Sequence, residues 1–82
     1  MNLLEQLLLN TPHVHRTCEA AIQEMYDNAD MEFTALLTHF ELIAIGQEDL
    51  HYVFTFQQIE TPFYHFNVHI DKDGDASVSI DS

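Results

Sequence analysis

The second half of the chain alternates between apolar and polar residues, which is the period of a strand with one buried face. The alternating runs are separated by short turns around Gly46, Pro62 and Gly74. Alternating runs joined by short turns are typical of an antiparallel meander. The pattern therefore predicts four antiparallel strands, at residues 31–45, 51–58, 63–71 and 76–81.

The beginning of the first strand is ambiguous, because residues 31–39 fit two periods. Phe33 and Leu37 have a spacing that suits a helix, and they also suit a strand that is out of phase with Phe40. A β-bulge inside one long strand explains the phase slip. A helical turn that leads into the strand is the alternative. We favour the bulged strand.

Two segments near the N-terminus have the period of a helix. The first, residues 2–9, is rich in leucine and too short to be stable on its own. The second begins at Thr11-Pro12, because Thr is a favourable N-cap and Pro a favourable first helical residue. It is predicted over residues 12–27, with an apolar face made of Val14, Cys18, Ala21, Ile22 and Met25.

These elements predict an α+β fold in one domain, residues 1–82. The main helix, preceded by the short Leu-rich helix, packs on one face of a four-stranded antiparallel β-meander. Aromatic and aliphatic residues of the strands supply the covered face, namely Phe40, Tyr52, Phe54, Phe56, Tyr64, Phe66, Val68 and Ile70. Matching these inward residues predicts the strand register, with the pairs Ala44–Tyr52, Phe56–Phe66 and Val68–Val78.

The other face of the predicted sheet is polar, as expected for a water-facing antiparallel sheet. An apolar corner interrupts it, made of Ile43, Ile45 and Val53. An apolar patch on a polar face can be an interaction site. The corner is either a contact surface for a partner, or a set of aliphatic residues that the N-terminal Leu-rich segment covers or that are exposed without a role.

The charge of the chain is the strongest sequence evidence about the kind of partner. Fourteen Asp and Glu residues stand against two basic residues, Arg16 and Lys72, for a formal net charge of −12. Charges of magnitude about 2–8 suffice for the solubility of a small domain. Nucleic acid and anionic membranes would be repelled. The charge favours a basic protein surface as the partner.

The cysteine content and the N-terminus suggest a cytoplasmic protein. Cys18 stands alone, so an internal disulfide is excluded, and its place on the apolar helix face indicates a core residue. The first residues contain Glu5 and lack a basic segment before a short apolar run. They are typical of neither a signal peptide nor a membrane span.

Neither the histidines nor the aspartates predict a metal site or a cofactor. His65 and His69 share a strand face about 13 Å apart, too far to bind one metal. The closest expected pairs are His51–Asp71 and His65–Asp81. Asp71, Asp73 and Asp75 match the opening of an EF-hand loop, but Ala76 stands where that loop needs Gly and Ser82 where it needs Glu. This segment is better interpreted as a hairpin turn at Gly74.

The leading functional hypothesis is a small protein–protein inhibitor or adaptor that occludes a basic, nucleic-acid-binding surface. In composition the chain is similar to anti-restriction and anti-CRISPR proteins of phages and mobile elements, some of which imitate DNA charge. No catalytic motif is present, so we expect no enzyme activity. The carboxylates expected to meet the partner are Glu19, Glu24, Asp27, Asp30, Glu32, Glu48, Asp49, Asp71, Asp73 and Asp75.

Two alternatives remain open from the sequence. One is a homodimeric interaction module that uses the Leu-rich segment or the corner of Ile43, Ile45 and Val53 as its interface. The other is a metal or small-ligand binder that uses the histidines of the open sheet face.

Overall fold

The computed structural model describes residues 2–81 and confirms the α+β fold. Three helices pack against an open antiparallel sheet with the strand order β1-β2-β3-β4. The chain runs through α1 (Leu3–Leu9), α2 (Pro12–Asn28), α3 (Leu36–His39), β1 (Phe40–Glu48), β2 (His51–Gln58), β3 (His65–Ile70) and β4 (Ala76–Asp81).

The prediction for the first strand was wrong at both ends. Residues 36–39 form α3 instead of a strand, and β1 begins at Phe40. The N–H of Leu36, the first residue of α3, donates to the carboxylate of Glu19 on α2 at 2.9 Å. This contact is between residues distant in sequence, so local periodicity could not indicate it. At its other end β1 continues to Glu48, which leaves only Asp49-Leu50 as the turn.

A bulge does interrupt β1, but it lies within the strand instead of at residues 31–39. The pairing with β2 shifts between Leu42 and Ala44, which leaves Ile43 without a partner in the ladder. Ala44 therefore lies opposite Thr55, and the predicted pairing with Tyr52 was wrong. The pairs Phe56–Phe66 and Val68–Val78 are as predicted.

The core lies between the helices and the middle of the sheet, and much of the predicted set is buried there. Tyr52 and Tyr64 are exceptions, with exposed fractions of 44% and 47%. Tyr26, which the prediction left out, is buried against Phe33 and Phe40. The fully buried side chains are Leu8, Cys18, Ile22, Leu36, Phe40, Leu42, Phe56 and Val68.

Helix α1 covers part of the β1 edge through two polar side chains. Asn2 and Glu5 form a capping box at the start of the helix. The Asn2 amide also donates to the carbonyl of Leu42 at 3.0 Å, and the buried Glu5 carboxylate accepts the N–H of Leu42 at 3.0 Å. Both backbone groups of Leu42 are thereby satisfied beside the bulge, which protects an edge that would otherwise be open to pairing.

Helix α2 begins at Pro12 as predicted, with Thr11 at the N-cap, but without the expected side-chain cap. The Thr11 hydroxyl donates instead to the carbonyl of Leu7 at 3.3 Å. None of the helices within residues 2–81 combines the length and apolar character needed to cross a membrane.

Candidate interaction surface

The first part of the predicted acidic surface lies at the end of α2 and in the loop that follows. We call these exposed residues the helix-end group: Glu24, Asp27, Asp30 and Glu32. The Tyr26 hydroxyl accepts a hydrogen bond from Gln58 at 2.8 Å, and Gln58 pairs with Phe40. The end of α2 therefore lies beside the end of the sheet where β1 begins and β2 ends.

The second part of the predicted surface lies on the two hairpin turns, β1–β2 and β3–β4. We call these residues the hairpin group: Glu48, Asp49, Asp71, Asp73 and Asp75, all of them exposed. The last pair of the β1–β2 ladder is Glu48–His51, whereas the pair Phe40–Gln58 lies at its opposite end. The structure thus divides the predicted carboxylates between opposite ends of the sheet.

Glu19 belongs to neither group. Its side chain is half-buried, and its carboxylate accepts the N–H of Leu36 at 2.9 Å. A carboxylate that caps the start of a neighbouring helix has a structural role in this fold. Its prediction as part of the exposed acidic surface needs correction, because the residue faces α3.

The β3–β4 turn brings three carboxylates close together. One oxygen from each of Asp71, Asp73 and Asp75 lies within 4.8 Å of the others. The Asp71 carboxylate accepts the N–H groups of Asp73 at 2.9 Å and Asp75 at 3.0 Å. Gly74 has φ of 86°, as predicted for a hairpin turn. The turn concentrates negative charge on a tight, locally bonded loop.

The end of α2 is also an unfavourable place for acidic residues. The C-terminus of a helix carries partial negative charge, which basic residues would normally offset. The last turn of α2 holds no basic residue, and Asp27 lies within it. Asp30 follows in the left-handed region, with φ of 55°, where it completes a Schellman motif. Asp27 therefore interacts unfavourably with the dipole of its own helix.

The predicted apolar corner is split between the two faces of the sheet. Val53 pairs with Gly46 on one side and with His69 of β3 on the other, and these three residues lie on the open face. Because of the bulge, Ile45 pairs with Phe54, a core residue, and points towards the helices. The interpretation of Ile43, Ile45 and Val53 as one contiguous patch was therefore wrong.

A groove that the sequence did not predict lies where Ile45 points. It runs between the α1–α2 hairpin and the end of the sheet, and it encloses about 380 Å³. The sequence signal for this groove was the Leu-rich segment, because a short helix leaves some of its leucines exposed. Apolar side chains dominate its lining, including Leu7, Val14, Ile45, Tyr52, Phe54 and Ile70.

The open face carries a hydrogen-bonded network across β2, β3 and β4. The Thr55 hydroxyl donates to Asn67, whose amide donates to the Asp81 carboxylate, both at 2.8 Å. The rings of His51 and His69 are stacked, with centroids 5.9 Å apart, a contact that was not predicted. His65 lies opposite Asp81 as predicted, although the carboxylate of Asp81 is bonded to Asn67.

The thiol of Cys18 lies in the core as predicted. Burial raises its pKa from 9.0 to about 12. The reactive form of cysteine is the thiolate, which is a minor species at neutral pH for such a group. Cys18 therefore has the properties of a small core residue.

No family model, characterised protein or solved structure matches this chain. Its charge, its surface and its groove are therefore the basis for a functional proposal.

Proposed function

We propose that the protein is a small inhibitor or adaptor that binds a basic, nucleic-acid-binding surface of another protein and occludes it. The observation that carries the proposal is the formal charge of −12 on 82 residues, with nine of the ten predicted carboxylates on the surface. Carboxylates so placed can stand in for nucleic-acid phosphates, which such partners bind through Lys and Arg. Inhibition would follow from occupation of the surface and would require no chemistry.

The position of the carboxylates supports a role beyond solubility. Asp27, in the last turn of α2, lies where the helix dipole disfavours negative charge. The hairpin group holds Asp71, Asp73 and Asp75 within 4.8 Å of one another, where they repel. Both arrangements place like charges or partial charges close together in a small fold with a limited core. A chain that needed acidity only for solubility could distribute it at lower energetic cost.

The proposal includes the version in which the carboxylates imitate duplex DNA, as in anti-restriction and anti-CRISPR proteins of phages. The helix-end group and the hairpin group lie at opposite ends of the sheet. A partner that contacts both groups would have to span the molecule, whose longest dimension is 32 Å. A partner that meets one end would be contacted by a single group. The proposed compartment is the cytoplasm, where such partners act on nucleic acid.

The test is the salt dependence of binding to the basic protein that the immobilised chain retains from its native host. Between about 50 and 200 mM NaCl, the affinity is expected to fall by at least about tenfold, because exposed charges are screened. Asp30→Asn with Glu32→Gln removes two charges from the helix-end group, and Asp73→Asn with Asp75→Asn removes two from the hairpin group. The pair that weakens binding identifies the end in contact. An affinity that does not change with salt would contradict the proposal.

One observation favours the alternative of a homodimeric module. Leu3 and Leu7 lie one turn apart on α1 and are 77% and 59% exposed. Exposed apolar side chains on one helix face can form a contact between two chains. Sedimentation at micromolar concentration distinguishes the two functions, since a monomer counts against an obligate dimer.

A further inference from the structure

We propose that the groove beside the α1–α2 hairpin binds the apolar side chains of a basic amphipathic segment of the partner protein. This inference rests on the proposed function, because it assigns the contact through which the basic partner is held. The two can fail separately, because the groove and the carboxylates can be changed by different substitutions.

The groove has the character of an apolar binding site that is open to solvent. Phe54 forms part of its lining with only 7% of its surface exposed, whereas Leu7, Ile45 and Tyr52 are 59%, 38% and 44% exposed. Side chains at the mouth of the groove therefore keep large apolar areas in contact with water. Covering them would release that water, which favours binding.

Negative charge surrounds one end of this groove. Ile45 lies four residues before the β1–β2 turn at Asp49-Leu50, and Tyr52 lies two residues after it, with Glu48 and Asp49 between them. Ile70 is the last residue of β3, so Asp71 and the β3–β4 turn follow it directly. The five carboxylates of the hairpin group thus lie next to an apolar groove, and Lys72 is the one basic side chain within the same two turns.

Charge complementarity selects the occupant. A second copy of the chain would bring its own hairpin group to the contact in a two-fold dimer, and like charges would repel. An uncharged apolar segment would leave the five carboxylates without a counter-charge. A segment with apolar side chains on one side and Lys or Arg on the other matches both the apolar groove and the carboxylates beside it. Amphipathic helices bind apolar grooves in this way.

The first experiment uses a synthetic peptide as the probe. It has about eighteen residues, with Leu at positions i, i+3, i+4 and i+7 and Lys elsewhere, so that it forms an amphipathic helix. In methyl NMR spectra we expect its addition to shift the resonances of Leu7, Ile45 and Ile70, and to leave Ile59 and Ile80 unshifted. Ile59 is 57% exposed at the opposite end of the sheet and serves as the matched control.

Variants then separate the groove from the charge. Ile45→Thr and Leu7→Ser are expected to weaken peptide binding by about tenfold, the effect of losing a central apolar contact. Both residues are partly exposed, so the fold should tolerate the changes. Ile59→Thr is expected to bind like the wild type. A peptide with Ser in place of Leu should bind more weakly, and one with Glu in place of Lys should not bind.

The outcomes distinguish the inference from the proposed function. In one outcome, Ile45→Thr and Leu7→Ser bind the peptide as tightly as the wild type, and Glu48→Gln with Asp49→Asn binds it more weakly. The inference that the groove binds apolar side chains is then overturned, and the electrostatic function stands. If none of these variants changes the affinity, the inference is overturned, and the salt dependence of binding to the native partner decides the proposed function separately. If the free protein is a dimer that Leu7→Ser dissociates, the occupant is a second copy, which also overturns the inference.

Discussion

A single buried carboxylate, that of Glu5, connects the N-terminal helix to the sheet. It accepts the backbone N–H of Leu42 at 3.0 Å, beside the bulge in β1, and it takes part in the capping box with Asn2. Buried polar groups of this kind stabilise a fold only while all partners are present. Loss of the carboxylate would leave the N–H of Leu42 buried without an acceptor.

Glu5→Ala is therefore expected to lower the free energy of unfolding by about 2 kcal/mol, the usual cost of an unsatisfied buried group. Glu24→Ala is the control, because Glu24 is exposed on α2. Urea denaturation measures both. An equal effect of the two substitutions would show that the contact between Glu5 and Leu42 contributes little.

Cys18 predicts a defined dependence of stability on pH. Because burial raises its pKa from 9.0 to about 12, the folded protein keeps a proton that the unfolded chain releases above pH 9. This contribution to stability is complete below pH 9 and is lost as the pH rises from 9 towards 12. The slope reaches about 1.4 kcal/mol per pH unit for one group.

The measurement is urea denaturation at several pH values on either side of pH 9, for the wild type and for Cys18→Ala. The stability of the wild type should fall more steeply with pH than that of the variant. The two proteins differ only at residue 18, so the difference between their curves reports the thiol. Parallel curves would contradict the burial of the thiol.

At the scale of elements, the sequence predicted the helices and strands whose own residues show a clear hydrophobic period. Helix α2 and strand β2 have clear periods and are found where expected. Helix α3 has four residues and depends on Glu19, which is distant in sequence. The bulge at Ile43 also depends on α1, since Asn2 and Glu5 bind Leu42 beside it. Contacts of this kind have no local signal.

The same limit applies to the candidate site. Nine of the ten predicted carboxylates are exposed, because charged side chains are seldom buried without partners. Their division into two groups, and the groove beside one of them, depend on strand register and on how α1 docks. The shift at Ile43 moved Ile45 to the other face, and the predicted apolar corner was lost with it.

The end of α2 provides a prediction at this scale. Asp27→Lys is expected to raise stability by about 0.5–1 kcal/mol at low salt, since a cation in the last turn of a helix interacts favourably with its dipole. Glu32→Lys is the control, because Glu32 is exposed and lies beyond the helix, and it makes the same change in net charge. Thermal unfolding of both variants at low salt isolates the dipole contribution. Equal melting temperatures would contradict it.

At the scale of the whole molecule, the charge of −12 and the groove have complementary roles in the proposed function. Electrostatic attraction accelerates the encounter with a basic surface and suppresses binding to anionic ones. An apolar contact slows dissociation, because desolvated side chains at the centre of an interface account for most of its affinity. The hairpin group and the groove lie next to each other, which allows one partner to meet both.

The central claim is that the protein occupies the surface through which its partner binds nucleic acid. The direct test is the fluorescence anisotropy of a labelled DNA duplex bound to the basic partner retained from the native host, during titration with the protein. We expect the anisotropy to fall to the value of the free duplex as the partner is occupied. An anisotropy that stays constant or rises, because the protein binds elsewhere on the complex, would contradict it.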